Sequence, residues 1–190
     1  ANVVPGKPIA VSVRIPRYPV TPTGRILKLT GSSSFLQTFI PAYMKEMKKF
    51  KAPGMQHPVI LLVDNDDGAN PVFNSVKEAG KPKPTGKEQF VHIAGNLYLV
   101  ATPLSAGATS SMIEDSFGVL PTTLKIGGKS FNPDDKTFDT ALHYDKHIFS
   151  EYVKDKASQI DFTGFTELLN RLAAVIEAHK AAVAATNGKP

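Results

Sequence analysis

Asp64, Asp66 and Asp67 crowd three carboxylates onto one short turn, with Asn65 among them and Gly68 behind. They follow an unbroken apolar run, Val59 to Val63, so the charge sits at the tip of a buried strand. Residues i and i+2 of an extended chain point the same way. Asp64 and Asp66 are therefore expected to converge on one hard cation such as Mg²⁺ (or Mn²⁺), which takes oxygen ligands and keeps several waters. Without a cation, like charges this close repel. The plainer reading is an acidic turn that caps the next helix. Asn70 is expected to supply that cap, with Pro71 in the first helical position, which leaves more Asp residues than a cap needs.

Other chemistries that use such a segment fit less well. A calcium EF-hand needs glycine at loop position six, and Gly68 falls one place early when counted from Asp64. An aspartyl phosphatase would carry Thr or Val where Gly68 stands. A sugar-nucleotide transferase shares the Asp pair and nothing else here. Val63 precedes Asp64 and Asn65 follows it, so the Tyr-x-Asp-Asp motif of a polymerase palm is absent.

The elements that must position these residues can be read from pattern. The Val59–Val63 run suits a strand covered on both faces, as in a parallel sheet. A helix follows the acidic turn and closes at Gly80. That strand, turn and helix form the unit that places ligand sites at the carboxyl ends of parallel strands. Upstream, "RILKL" (25–29) reads as a short strand. Phe35, Phe39, Tyr43 and Met47 form one helical stripe behind serine caps, with Pro41 as a kink or a later start. "QFVHIAGNLYLVATP" reads as two strands about Gly95-Asn96, "SSMIEDSFG" as a short capped helix ending at Gly118, and "TTLKIGGKSF" as a hairpin. Two helices close the chain. One covers about 145–157 with Phe149 and Val153 inward; the other covers about 163–185 with Phe165, Leu168, Leu172, Val175 and Ile176 on one face.

Composition bounds the answer. The 190 residues, 42% apolar and 21% charged, suit one soluble domain with a real core. No apolar stretch reaches the roughly 20 residues that span a bilayer. Zero cysteines exclude disulfides and thiolate metal sites. His143 and His147 are the one close histidine pair, and they read as surface or packing residues; Phe131 and Tyr144 read as packing too. The net charge of +5 is concentrated at Lys45/48/49/51 and Lys77/81/83/87, which suit solvated ends and loops or contacts to phosphate. There is no initiator Met and no signal-peptide pattern, so a cytoplasmic location is expected. A piece of a longer protein is also expected, with residues 1–24 as a Pro-rich linker with one strand and residues 25–190 as a single α/β domain.

The order of motifs resembles the Toprim domain of topoisomerases, primases and overcoming-lysogenization-defect nucleases. "LKLTGSSSF" is similar to the family's first strand and turn, "LLVDND" to its Asp-x-Asp strand, "SMIEDSFG" to a later acidic segment, and "DKHIFSEYV" to a late Lys-bearing helix. The resemblance implies a mostly parallel, Rossmann-like sheet flanked by helices, with an added helical tail. It implies metal ligation by Asp64, Asp66, Asp67 and Glu114, with Lys146 as a phosphate contact. The family's first Glu falls on Thr30, which cannot ionise near neutral pH. Either the alignment slips, or Asp67 or Glu114 substitutes, or the site binds metal with little chemistry. Over its whole length the chain resembles the C-terminal extension of retron-type reverse transcriptases, through "HPVILLVDNDDGANPVFNSV", "LYLVATP" and "IDFTGFTELLNRLAAVIEAH". That resemblance implies an antiphage effector, with an upstream RNA-directed DNA polymerase domain and DNA or RNA, the retron RNA–DNA hybrid among them, as partners. A Mg-dependent nuclease is the expected activity. A non-catalytic binding module with a relic metal site, and an unrelated hydrolase or transferase, stay open beside it.

Overall fold

Apolar side chains recur every fourth residue through α1 (Ser33–Met47), and the helix runs on through Pro41. The computed structural model that shows this describes residues 33–49 and 55–187. The expected strand at 25–29, the linker and Thr30 lie outside the described residues. Next come β1 (Val59–Val63), α2 (Asn70–Glu78), β2 (Val91–Ala94) and β3 (Leu97–Ala101). A one-turn helix α3 (Leu120–Thr123) precedes β4 (Lys125–Ile126), β5 (Lys129–Phe131) and β6 (His143–Tyr144). Helices α4 (Lys146–Asp155) and α5 (Thr166–Asn187) finish the chain.

The first sheet has the order β1-β3-β2. Strand side chains alternate between faces, and each face meets different helices. Leu61, Val63, Leu97 and Leu99 pack with Phe39 and Ile40 of α1 and with Val72, Phe73 and Val76 of α2. Tyr98 and Val100 pack with Leu168 and Val175 of α5 on the other side. The result is a helix–sheet–helix layering, so the expected α/β class with flanking helices holds. Each layer supplies one wall of the core, and burial of these apolar side chains is the main favourable contribution to stability.

The mostly parallel sheet does not appear among the described residues. They form two small mixed sheets instead. β1 and β3 run parallel, as do β5 and β6, while β2–β3 and β4–β5 are antiparallel. The physical reason is loop length: a two-residue connection joins only antiparallel neighbours. Gly95-Asn96 and Gly127-Gly128 are such connections, and both glycines of the second have positive φ, as that hairpin turn requires. Coverage also differs from expectation. Every residue of β3 is buried, whereas Leu62 of β1 is 38% exposed. Strand β3, central in the order, is the one covered on both faces.

The helix ends follow local chemistry. Gly80 N–H donates to Lys77 O and Lys81 N–H to Val76 O, so α2 closes at Gly80 as expected. Its start differs. Asn70 is the first helical residue and makes no capping bond; the preceding residue, Ala69, has none either. Asp66 takes the capping role one turn earlier, accepting from Gly68 N–H at 2.8 Å over the 3₁₀ turn Asp67–Ala69. The acidic turn is thus partly spent on shaping the chain.

Candidate functional site

Asp64 is the residue next after β1, at its carboxyl end. Its position is fixed by Asn65, which sequence reasoning passed over. Asn65 N–H donates to Ser111 O at 2.8 Å and to Thr102 Oγ1 at 2.9 Å, and its side-chain amide reaches Gly86 O at 2.9 Å. Thr102 Oγ1 and Ser111 Oγ meet at 2.8 Å. These bonds join the ends of β1 and β3 to the segment that carries the next acidic residue. An asparagine inside an acidic turn reads as one more turn residue, so nothing in its neighbours signals this buried role.

That segment turns through a 3₁₀ helix, Ile113–Phe117, opened by Asp115, whose carboxylate accepts from Met112 N–H at 2.7 Å. The turn aims Ile113 N–H at Asp64 Oδ1, 2.9 Å away, and buries Glu114. Close approach by the chain holds it there. A Cβ on Gly164 would lie 2.1 Å from Ser116 O, so only glycine fits.

Lys146 comes from the other side as the first residue of α4. Asp145 caps that helix by accepting from Ile148 N–H at 2.9 Å. One turn along, Phe149 is buried, its ring 5.3 Å from Phe117 and 5.2 Å from Phe131 between centroids. The aromatic contacts fix the helix, and the helix fixes the lysine. Lys146 Nζ donates to Asp64 Oδ2 at 3.0 Å and lies 3.1 Å from Glu114 Oε2. The contact to Glu114 is an ion pair, and the enclosed Glu114 Oε2 has no other polar partner among the described residues. Burial works to lower the Lys146 pKa, but the two carboxylates outweigh it and the net shift is upward.

Asp64, Glu114 and Lys146, three of the five residues named from sequence, therefore meet, although Asp64 and Lys146 are 82 positions apart. Asp66 and Asp67 do not join them. Both are exposed, and they line a neighbouring cavity of about 610 Å³ with Asn65, Asn70, Thr85 and Thr109. Among the described residues, no group of three His, Asp or Glu is gathered as a metal centre. The pair Asp64–Glu114 still offers hard oxygen donors around a point where a cationic ammonium already sits. That donor set fits Mg²⁺ or Mn²⁺.

Of the other residues singled out from sequence, His147 is exposed, while His143, Phe131 and Tyr144 have packing or bracing roles. His143 Nδ1 accepts from Asp139 N–H at 3.0 Å and so braces its own loop. Tyr144 is fully buried, and its hydroxyl donates to Leu124 O. Two buried polar residues of α5 were not singled out. Arg171 donates to Glu88 O and Ala101 O, and His179 bridges Tyr98 and Met55 O. Both lie on the helix face that carries the apolar stripe, and that placement is the signal that could have found them. Compared with known proteins, the chain matches no family model and no solved structure.

Proposed function

We propose that this chain is a Toprim-like effector domain that holds a divalent cation between Asp64 and Glu114 and acts on nucleic acid phosphodiesters. One observation carries the reading: two carboxylates distant in sequence share one ammonium at the carboxyl end of a parallel strand. A bound Mg²⁺ or Mn²⁺ would polarise a phosphate oxygen and sharpen a water nucleophile. The chain's own groups do the rest. Ile113 N–H orients Asp64. Lys146, which lies beside both carboxylates, would neutralise the charge that develops on the phosphate. An ordinary lysine pKa of roughly 10.4 already keeps that ammonium charged across the neutral range. Asp66 and Asp67 serve the neighbouring cavity in this reading. The retron context, with an upstream reverse transcriptase and a cytoplasmic defence role, belongs to the same proposal and rests on the motif resemblance alone.

The same ion pair favours a second reading. A cluster whose negative charge Lys146 already halves depends less on a metal, as expected of a nucleic-acid-binding module with a relic site. Incubating supercoiled plasmid and single-stranded DNA with Mg²⁺, Mn²⁺ or EDTA separates the two. Metal-dependent cutting that Asp64→Ala abolishes supports the nuclease. Metal-independent binding without cutting, weakening steeply with salt, supports the module.

A further inference from the structure

The Asp64–Glu114–Lys146 cluster is graded in depth. The Glu114 side chain is 9% exposed, that of Asp64 28% and that of Lys146 40%. Glu114 Oε2 is enclosed, and its one polar contact among the described residues is the Lys146 ammonium. Asp64 is tied by Ile113 N–H, which donates to Oδ1 and leaves Oδ2 for the lysine. Both carboxylates are held by their surroundings, whereas the ammonium ends a flexible aliphatic stem on the more exposed side. Of the three groups, the lysine is the one that can change partner.

Charge decides what each ligand meets. Two carboxylates and one ammonium leave the cluster with a single surplus negative charge. A divalent cation entering between the carboxylates finds the ammonium already there, and like charges this near repel. A phosphate drawn to the ammonium finds two carboxylates within 3.1 Å of it. Each ligand alone is thus opposed by a group that the other ligand would satisfy. With both present, the carboxylates hold the metal, the lysine turns to the phosphate, and every charge has an opposite neighbour.

We propose that divalent metal and phosphate load this site together, with Lys146 as the coupling group: it holds the metal's place in the free protein and passes to a phosphate of the nucleic acid strand as the metal enters. The inference rests on the metal-dependent nucleic-acid reading above and adds its regulation. The site stays poor in metal until a phosphate chain arrives, so cation capture is confined to the strand-bound state. One lysine is a weak hold on an isolated phosphate, so a strand with further contacts is the source that loads the site at low concentration. Linkage makes the effect mutual: whatever factor the strand adds to metal affinity, the metal adds to strand affinity.

Phosphorothioate-linked single-stranded DNA keeps the backbone charge and resists hydrolysis, so it separates binding from cutting. Mn²⁺ is titrated by electron paramagnetic resonance with and without this oligomer, corrected for the Mn²⁺ that the oligomer binds alone. The oligomer is titrated in turn by fluorescence anisotropy, in Mn²⁺ and in EDTA. The expected result is about tenfold tighter Mn²⁺ binding with the oligomer present, and the same gain for the oligomer in Mn²⁺. A methylphosphonate oligomer, which has no backbone charge, should give no gain, and AMP at the same concentration should give little. Lys146→Met and Lys146→Gln should bind Mn²⁺ tightly without DNA and lose most of the gain; an unchanged circular dichroism spectrum certifies the fold of each. A gain that survives in both lysine variants, or one that the methylphosphonate oligomer or AMP matches, would overturn the proposal. A saturable Mn²⁺ site indifferent to the oligomer would sink the coupling and leave the metal reading standing. No saturable site with or without the oligomer would sink the metal reading itself.

Discussion

At the scale of single residues, Lys146 decides how the site behaves. It occupies the place between Asp64 and Glu114 that a metal ion would take, so ammonium and metal compete. Lys146→Met should therefore bind Mn²⁺ more tightly than the parent while cutting DNA more slowly; weaker Mn²⁺ binding would contradict the competition. The same substitution leaves two carboxylates without their counter-ion and should cost about 1–2 kcal/mol without metal, measurable by urea unfolding. Solvent screening at an ammonium that is 40% exposed keeps this below the cost of breaking a fully buried pair. The pH dependence has a definite sign. The folded-state pKa of Lys146 is raised, so its stabilisation is complete at neutral pH, below the ordinary lysine value of roughly 10.4. It is lost as pH rises through the higher folded-state value. Melting temperatures of parent and Lys146→Met should converge in strongly alkaline buffer and separate at pH 7. Legibility was uneven at this scale. Asp64, Glu114 and Lys146 were readable because charged residues in ordered motifs stand out. Asn65 was not, because an amide's value lies in the carbonyls around it, and those are set by tertiary contacts.

At the scale of elements, the site depends on two close approaches of backbone. Gly164→Ala places a methyl group against Ser116 O and must push the 3₁₀ turn that carries Glu114. A loss above about 1 kcal/mol is expected, together with weaker Mn²⁺ binding; an unchanged metal affinity would mean that the turn does not position Glu114. Asn65→Ala strips the hydrogen bond from Gly86 O and should destabilise by about 1–3 kcal/mol, read as a lower urea midpoint. Hairpin glycines, the Gly80 stop and the apolar stripe of α5 were legible because each is a local rule; of the α1 stripe, Phe39 and Tyr43 face the core together with Leu36, Ile40 and Met44. The start of α2 was not. Asp66 caps the 3₁₀ lead-in through Gly68 N–H, so the chain is already helical at Asn70, and such a lead-in cannot be told from a helix start by residue types. The mixed sheets follow from two-residue turns that the sequence displays at Gly95-Asn96 and Gly127-Gly128; those turns add antiparallel neighbours, while the apolar run itself pairs parallel with β3.

At the scale of the whole molecule, a helix–sheet–helix core carries the carboxyl end of β1 to a cluster built from three separate segments. No helix of the described residues is long and apolar enough to cross a membrane. The surplus of positive charge, +5 at neutral pH, suits a polyanionic partner. The proposed function requires that the Asp64–Glu114 cluster take up a divalent cation. The measurement that tests this most directly is a Mn²⁺ titration followed by electron paramagnetic resonance, on the parent, Asp64→Ala, Glu114→Gln and Lys146→Met. The account predicts one saturable site in the parent, lost in the first two variants and tightened in the third. No saturable site in the parent, or one that survives Asp64→Ala and Glu114→Gln, would contradict it.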